Sequence, residues 1–153
     1  MSRLEKLLIA LEKIADENDE TVFYVDEDQM PIAGEEGFIQ EISCKTFIYL
    51  LKGLNEKSEV KNLAHELGHM YKGMRSIFTL PGAVRLYEEQ AWDWAATRLV
   101  PHKEYMKKMR DPHINSDYDM AEALEVDIEI LQRAVRVYKR QGLDIRRSEE
   151  WCY

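Results

Sequence analysis

The pentapeptide His65-Glu66-Leu67-Gly68-His69 constrains this chain more than any other stretch, because its chemistry requires a helix. Residues four apart on an α-helix project from nearly the same side, one turn from each other. Two imidazoles in that arrangement can bind one zinc ion at roughly 2.0–2.1 Å. A glutamate directly after the first histidine points slightly around the helix, where it can act as a general base without binding the metal. The motif therefore predicts metal ligands at His65 and His69 and a catalytic base at Glu66.

The residues on either side of the motif favour a helix over a chance pair of surface histidines. Asn55 and Ser58 are typical of a helix start, and Lys72-Gly73 provides a basic last turn and a C-terminal stop. An apolar stripe with helical spacing runs between them: Val60, Leu63, Ala64, Leu67 and Tyr71. Because the histidines flank this stripe, we expect them at the boundary between the core and a cleft.

Composition bounds the class of protein. The 153 residues fit a single domain, and 45% apolar with 33% charged residues is typical of a globular chain. A net charge of −8 disfavours nonspecific binding to nucleic acid or to an anionic membrane, since both are negative. No apolar run approaches the roughly 20 residues that a membrane span needs. Cys44 and Cys152 lack metal-ligand spacing, which favours reduced thiols in the cytoplasm, with Cys44 buried.

The remaining patterns predict an α+β fold that is mostly helical, with a small N-terminal β-sheet. A capping box at Ser2 and Glu5 opens an amphipathic helix. The predicted elements are a helix over 3–17, strands over 21–25, 29–32 and 38–42, the motif helix, and helices over 85–100, 102–109, 117–124 and 127–141. Residues 44–54 stay ambiguous between strand and helix, and 73–84 are predicted to form a loop. The single domain 1–153 then has three portions, 1–54, 55–101 and 102–153.

A catalytic zinc site usually takes three protein ligands and a water, so a third ligand is needed. His102 and His113 lack the spacing of a third histidine in such a site, which favours a carboxylate on the next helix. Glu88 and Glu89 are both candidates, and their spacing from the motif does not choose between them. Asp93, one turn after Glu89, could accept the N–H of a ligating histidine.

Two segments together resemble the ImmA/IrrE family of zinc metallopeptidases. They are His65-Glu-Leu-Gly-His69 and Glu88-Glu-Gln-Ala91-Trp-Asp-Trp94-Ala95, the latter running on to Leu99-Val-Pro101. That family carries a glutamate three residues before an alanine, then an aromatic-alanine pair and a leucine-rich run ending in proline. The resemblance covers roughly residues 55–141 and implies a zincin-like fold, Zn²⁺ as cofactor and Glu88 as third ligand. Trp92 departs from the pattern, since the family usually has Asn or Asp there.

The resemblance implies a cytoplasmic zinc endopeptidase that cleaves a helix-turn-helix repressor of a phage or mobile element. Two alternatives remain: a metal-stabilised protein that binds partners without proteolysis, and a DNA-binding helix-turn-helix over residues 121–135. The second alternative would use the basic residues Arg133, Arg136, Lys139 and Arg140. Acidic residues crowd the start of its second helix, so we expect no direct nucleic-acid contact. The net charge of −8 likewise leads us to expect no membrane partner.

Overall fold

Six α-helices and one small β-sheet make up the part of the chain that a computed structural model describes, residues 1–72 and 81–145. The elements in chain order are α1 Arg3–Glu17, β1 Glu20–Val25, β2 Gly37–Ile42, β3 Lys45–Leu51, α2 Glu56–Tyr71, α3 Pro81–Leu99, α4 His102–Lys108, α5 Asp117–Ala123 and α6 Ile128–Arg140. The predicted α+β class, mostly helical with a small N-terminal sheet, is confirmed.

The first helix forms for the reasons that its sequence indicates. The Ser2 hydroxyl accepts from the Glu5 N–H at 3.0 Å, and the Glu5 carboxylate accepts from the Ser2 N–H at 2.6 Å. This reciprocal capping box satisfies two backbone donors that a helix start leaves unpaired. The apolar face of α1 buries Leu4, Leu11 and Ala15, and the helix packs against α2 and β1.

The sheet has the strand order β1-β3-β2, with β1 parallel and β2 antiparallel to the central strand β3. Ile48 and Leu50 of β3 are completely buried, and α2 packs on β2 and β3. Within the described residues β2 pairs with β3 alone, so its other edge keeps unpaired backbone groups. This edge strand becomes important because it begins beside the motif helix.

Two expectations for the first third of the chain are wrong. Residues 29–32 form no strand: the chain makes a short 3-10 helix, Glu27–Gln29, and Pro31 lacks the N–H that a strand would use. Cys44 is exposed and not buried. Ser43 and Cys44 form the two-residue turn between β2 and β3, with φ of 50° and 66°, so Cys44 points away from the core. Most of the ambiguous segment 44–54 is extended, because it supplies β3 over Lys45–Leu51.

The later helices start and stop near their predicted bounds. Helix α3 begins at Pro81, earlier than predicted, which fits the preference of proline for the first helical position. The rest of the predicted loop, residues 73–80, lies outside the described residues, as do the tail from 146 onward and Cys152. Ser116 caps α5 by accepting from the Asp119 N–H at 3.1 Å, and Asp127 precedes α6.

The chain divides into two compact units, Met1–Ala95 and Ala96–Tyr153, with the boundary inside α3. The first unit contains the sheet, α1, α2 and the part of α3 that carries Glu88. In the second unit α5 packs on α6, and the Tyr138 hydroxyl donates to the carbonyl of Val100. That residues 1–153 form a single domain stays a prediction. In the described ranges, no helix combines the length and the apolar character of a membrane span.

Candidate metal centre

Helix α2 presents the motif because its first turn is capped and its apolar face is buried. The Asn55 side chain accepts from the Ser58 N–H at 2.9 Å and so caps the first turn. The predicted stripe is buried at Val60, Leu63, Ala64 and Leu67, whereas Tyr71 is exposed. His65 and His69 follow on the adjoining side of the helix, His69 buried and His65 half-buried. The predicted place of the histidines, at the margin of the core, is confirmed.

A glycine inside the motif sets the distance between α2 and α3. A Cβ atom built on Gly68 would lie only 2.4 Å from the carbonyl oxygen of Ala91, so the two helix backbones touch at this point. Glycine inside a helix costs about 1 kcal/mol relative to alanine, and here its small size permits the contact. Glu88 lies one turn before Ala91, so the contact brings its carboxylate to the two histidines.

His65, His69 and Glu88 converge on one point. Oε2 of Glu88 lies 3.0 Å from Nε2 of His65, and Oε1 lies 2.8 Å from Nε2 of His69. One potential ligand atom from each residue falls within 4.8 Å of the other two, so the three side chains could hold a metal ion. In the described part of the chain this is the one such group, and Glu89, which is exposed, is not a member.

The two histidines differ in electrostatic environment. Burial lowers the pKa of His65, but the adjacent Glu66 and Glu88 carboxylates outweigh burial and leave the pKa of His65 above its ordinary value. Burial is also the largest influence on His69, and with the neighbouring His65 ring it lowers the pKa of His69. Metal ligation requires neutral imidazoles, so an incoming ion must displace any proton that His65 holds.

Glu66 is buried beside both the histidines and the edge strand. Its Oε1 lies 3.4 Å from Nδ1 of His65, longer than an ordinary hydrogen bond. A Cβ atom on Gly37, the first residue of β2, would lie 3.2 Å from the same oxygen. The absence of a side chain on Gly37 therefore leaves space for the Glu66 carboxylate. Asn62 donates to the Glu36 carboxylate at 2.9 Å and ties the start of β2 to α2.

Aromatic side chains add contacts that sequence reasoning missed. The Trp92 indole stacks on the His65 imidazole, with ring centroids 3.9 Å apart and planes 11° from parallel. The position of Trp92 one turn after Glu88 is the sequence feature that could have predicted this contact. Trp94 stacks instead on Tyr71 at 4.9 Å. Nδ1 of His69 is buried without a hydrogen-bond partner among the described residues, so the acceptor role predicted for Asp93 is wrong at His69.

The other two histidines take no part in the centre. Nε2 of His102 lies 2.7 Å from the carbonyl oxygen of Asp144, and Nδ1 of His113 lies 3.1 Å from Asp111, all within the second unit.

Comparison of the chain with protein-family models, with curated proteins and with solved structures found no match. The kind of metal that the site could bind is therefore inferred from its three donor residues alone. Two imidazole nitrogens and a carboxylate oxygen suit zinc and other divalent transition metals.

Proposed function

We propose that this chain is a zinc-dependent endopeptidase with a zincin-like active site. The observation that carries the proposal is the convergence of His65, His69 and Glu88, with the Glu66 carboxylate on the same turn of α2. A set of two histidines and one glutamate is known from catalytic zinc sites, in which a fourth position stays open. The resemblance to the ImmA/IrrE family, stated above from the residues, points to the same donor set.

The chain's own residues account for the proton transfers that peptide hydrolysis needs. A zinc ion held by the three side chains would acidify a water and polarise the scissile carbonyl. Glu66 accepts a proton from the attacking water as the water oxygen bonds to the carbonyl carbon. The same carboxyl then delivers that proton to the amide nitrogen as the C–N bond breaks, giving a free carboxylate and a free amine. Glu66 is 5% exposed, so few water molecules contact this carboxylate.

The edge strand supports a peptide as substrate. Strand β2 starts at Gly37, beside the Glu66 carboxylate, and its outer edge has unpaired backbone groups within the described residues. An extended peptide can add to such an edge through main-chain hydrogen bonds, which would bring a peptide bond close to Glu66. The family resemblance implies that this peptide belongs to a cytoplasmic helix-turn-helix repressor of a phage or mobile element.

The test is incubation of the zinc-loaded protein with the product of the neighbouring open reading frame, followed by mass spectrometry of the fragments. We expect cleavage by the unchanged chain and a loss of about 10²–10⁴-fold in rate for Glu66→Gln, as expected for a missing general base. The exposed neighbour of the third ligand supplies a matched control, Glu89→Gln, which should cleave normally. An intact partner, or equal cleavage by Glu66→Gln, would contradict the proposal.

One observation favours a second candidate, a metal-stabilised protein that binds partners without proteolysis. The Glu66 oxygen near Nδ1 of His65 lies where an acceptor that orients a metal ligand is usually found. Both candidates bind zinc, so zinc content does not separate them. The endopeptidase proposal expects the unchanged chain to cleave a peptide and Glu66→Gln to lose cleavage while it still binds zinc, whereas the second candidate expects no cleavage by either protein.

A further inference from the structure

The His65 ring is held on three sides, by two carboxylates and by one aromatic ring. Its Nε2 faces the Glu88 carboxylate at 3.0 Å, its Nδ1 lies 3.4 Å from Glu66, and one face is covered by the Trp92 indole. The two rings are only 11° from parallel, with centroids 3.9 Å apart. Such a contact restricts both the rotation and the tilt of the imidazole.

Metal-binding histidines usually obtain their orientation from a hydrogen bond. The nitrogen that does not bind the metal normally donates to a carboxylate, a backbone carbonyl or a water. Here the distance from Nδ1 of His65 to Glu66 exceeds the usual hydrogen-bond range, and Nδ1 of His69 is buried without a partner in the described residues. Packing must therefore supply orientation that hydrogen bonds leave incomplete.

Helix geometry places Trp92 for this purpose. Trp92 lies four residues after Glu88 on α3, so one face of one helix presents both a metal ligand and the ring that covers another ligand. An imidazole that binds a divalent ion becomes partly positive, and the face of an indole attracts positive charge. The stacking should therefore favour the metal-bound centre over the metal-free one.

We propose that Trp92 is a positioning residue of the metal centre, which holds the His65 imidazole by flat stacking with Nε2 directed towards Glu88. The proposal rests on the metal binding that underlies the proposed function. It assigns to an indole the task that a polar acceptor performs in most such sites. Trp94 offers a matched control, because it lies on the same helix but stacks on Tyr71 and not on His65.

The test measures zinc affinity by competition with a chromogenic chelator. We expect Trp92→Ala to weaken zinc binding about 10-fold or more, the loss typical when a supporting group is removed from a metal ligand. Trp92→Phe keeps an aromatic face and should stay within about threefold of the unchanged chain. Trp94→Phe should bind zinc as the unchanged chain does, whereas His65→Ala sets the scale for loss of a ligand.

A spectroscopic readout separates positioning from general packing. Binding of Co²⁺, which quenches nearby indoles, should reduce tryptophan fluorescence in the unchanged chain and in Trp94→Phe, and much less in Trp92→Phe. If Trp92 were only a packing residue, Trp92→Ala would lower the melting temperature of the metal-free protein and leave zinc affinity unchanged, which would overturn the proposal. Failure of the unchanged chain to bind zinc would contradict the metal centre as well.

Discussion

Two glutamates in the first unit are buried to the same degree, yet their surroundings differ completely. Glu66 is 5% exposed and Glu20, at the start of β1, is 7% exposed. Glu66 adjoins His65 and the group that could hold a metal ion. Both Glu20 oxygens are buried without a hydrogen-bond partner among the described residues, and burial raises the pKa of Glu20 to about 7.

The comparison shows that burial of an acid does not by itself define a functional site. Burying a carboxylate disfavours its charged form, and Glu20 shows the effect of desolvation alone. At the candidate metal centre, buried and half-buried groups of complementary chemistry converge from two helices. Removing a group from this centre should abolish binding, whereas removing the Glu20 charge should increase stability.

The largest expected effect comes from removing the third ligand. Glu88→Gln retains the size of the side chain but loses the anionic oxygen, so zinc affinity should fall by more than about 100-fold, the upper range for supporting groups alone. Glu89→Gln, its exposed neighbour, should bind zinc as the unchanged chain does. Chelator competition measures both. Equal zinc affinities for Glu88→Gln and Glu89→Gln would contradict the assignment of Glu88 as a metal ligand.

Gly68→Ala tests how the centre is brought together. Alanine normally stabilises a helix by about 1 kcal/mol relative to glycine, so an unobstructed site would gain stability. Here the added methyl would meet the Ala91 carbonyl at 2.4 Å and push α3 away. We therefore expect a loss of about 1–3 kcal/mol in unfolding free energy, as for other overpacked sites, together with weaker zinc binding. A stabilised variant with unchanged zinc affinity would show that the helix contact does not position Glu88.

The smallest expected effect concerns Glu20 and depends on pH. Its pKa is about 7 when folded against an ordinary 4.5, so the folded state holds a proton that the unfolded state loses between these values. The stabilising contribution is full below pH 4.5 and is lost as pH rises through about 7. Glu20→Gln should therefore gain about 1–2 kcal/mol over the unchanged chain between pH 5 and pH 8.

Urea unfolding at each pH, with a chelator present, measures this difference. The exposed Glu35 provides the control, since Glu35→Gln should show no pH-dependent gain. A Glu20→Gln variant that is equally stable or less stable at pH 8 would indicate that the Glu20 carboxylate has a partner in solution. Glu20 would then not be an example of a buried carboxylate without a partner, and the comparison with Glu66 would fail.

The sequence allowed the centre to be predicted as far as local rules apply. The caps, the apolar stripe and the four-residue spacing together predicted α2 and the position of His65 and His69 on it. The choice between Glu88 and Glu89 depends on the rotation of α3 against α2, which the Gly68–Ala91 contact sets. The residue on α3 that Gly68 contacts could not be identified from sequence spacing.

Other features escaped prediction because nonlocal packing or unusual turn residues determine them. The apolar character of Cys44 predicts burial, but Ser43-Cys44 forms a tight hairpin turn without the glycine or asparagine that normally marks one. Glu20 ends a polar run, Asp16–Glu20, so the sequence pattern predicts that the strand begins one residue later. In the structure it begins β1 opposite Thr46, where pairing with β3 carries it into the interior.

The most direct test of the metal centre is anomalous X-ray scattering at the zinc edge, from crystals of the unchanged chain grown with zinc. We expect one peak at roughly 2.0–2.2 Å from Nε2 of His65, Nε2 of His69 and a carboxylate oxygen of Glu88. A map with no peak among these atoms, while they still contact one another at 2.8–3.0 Å, would contradict the assignment.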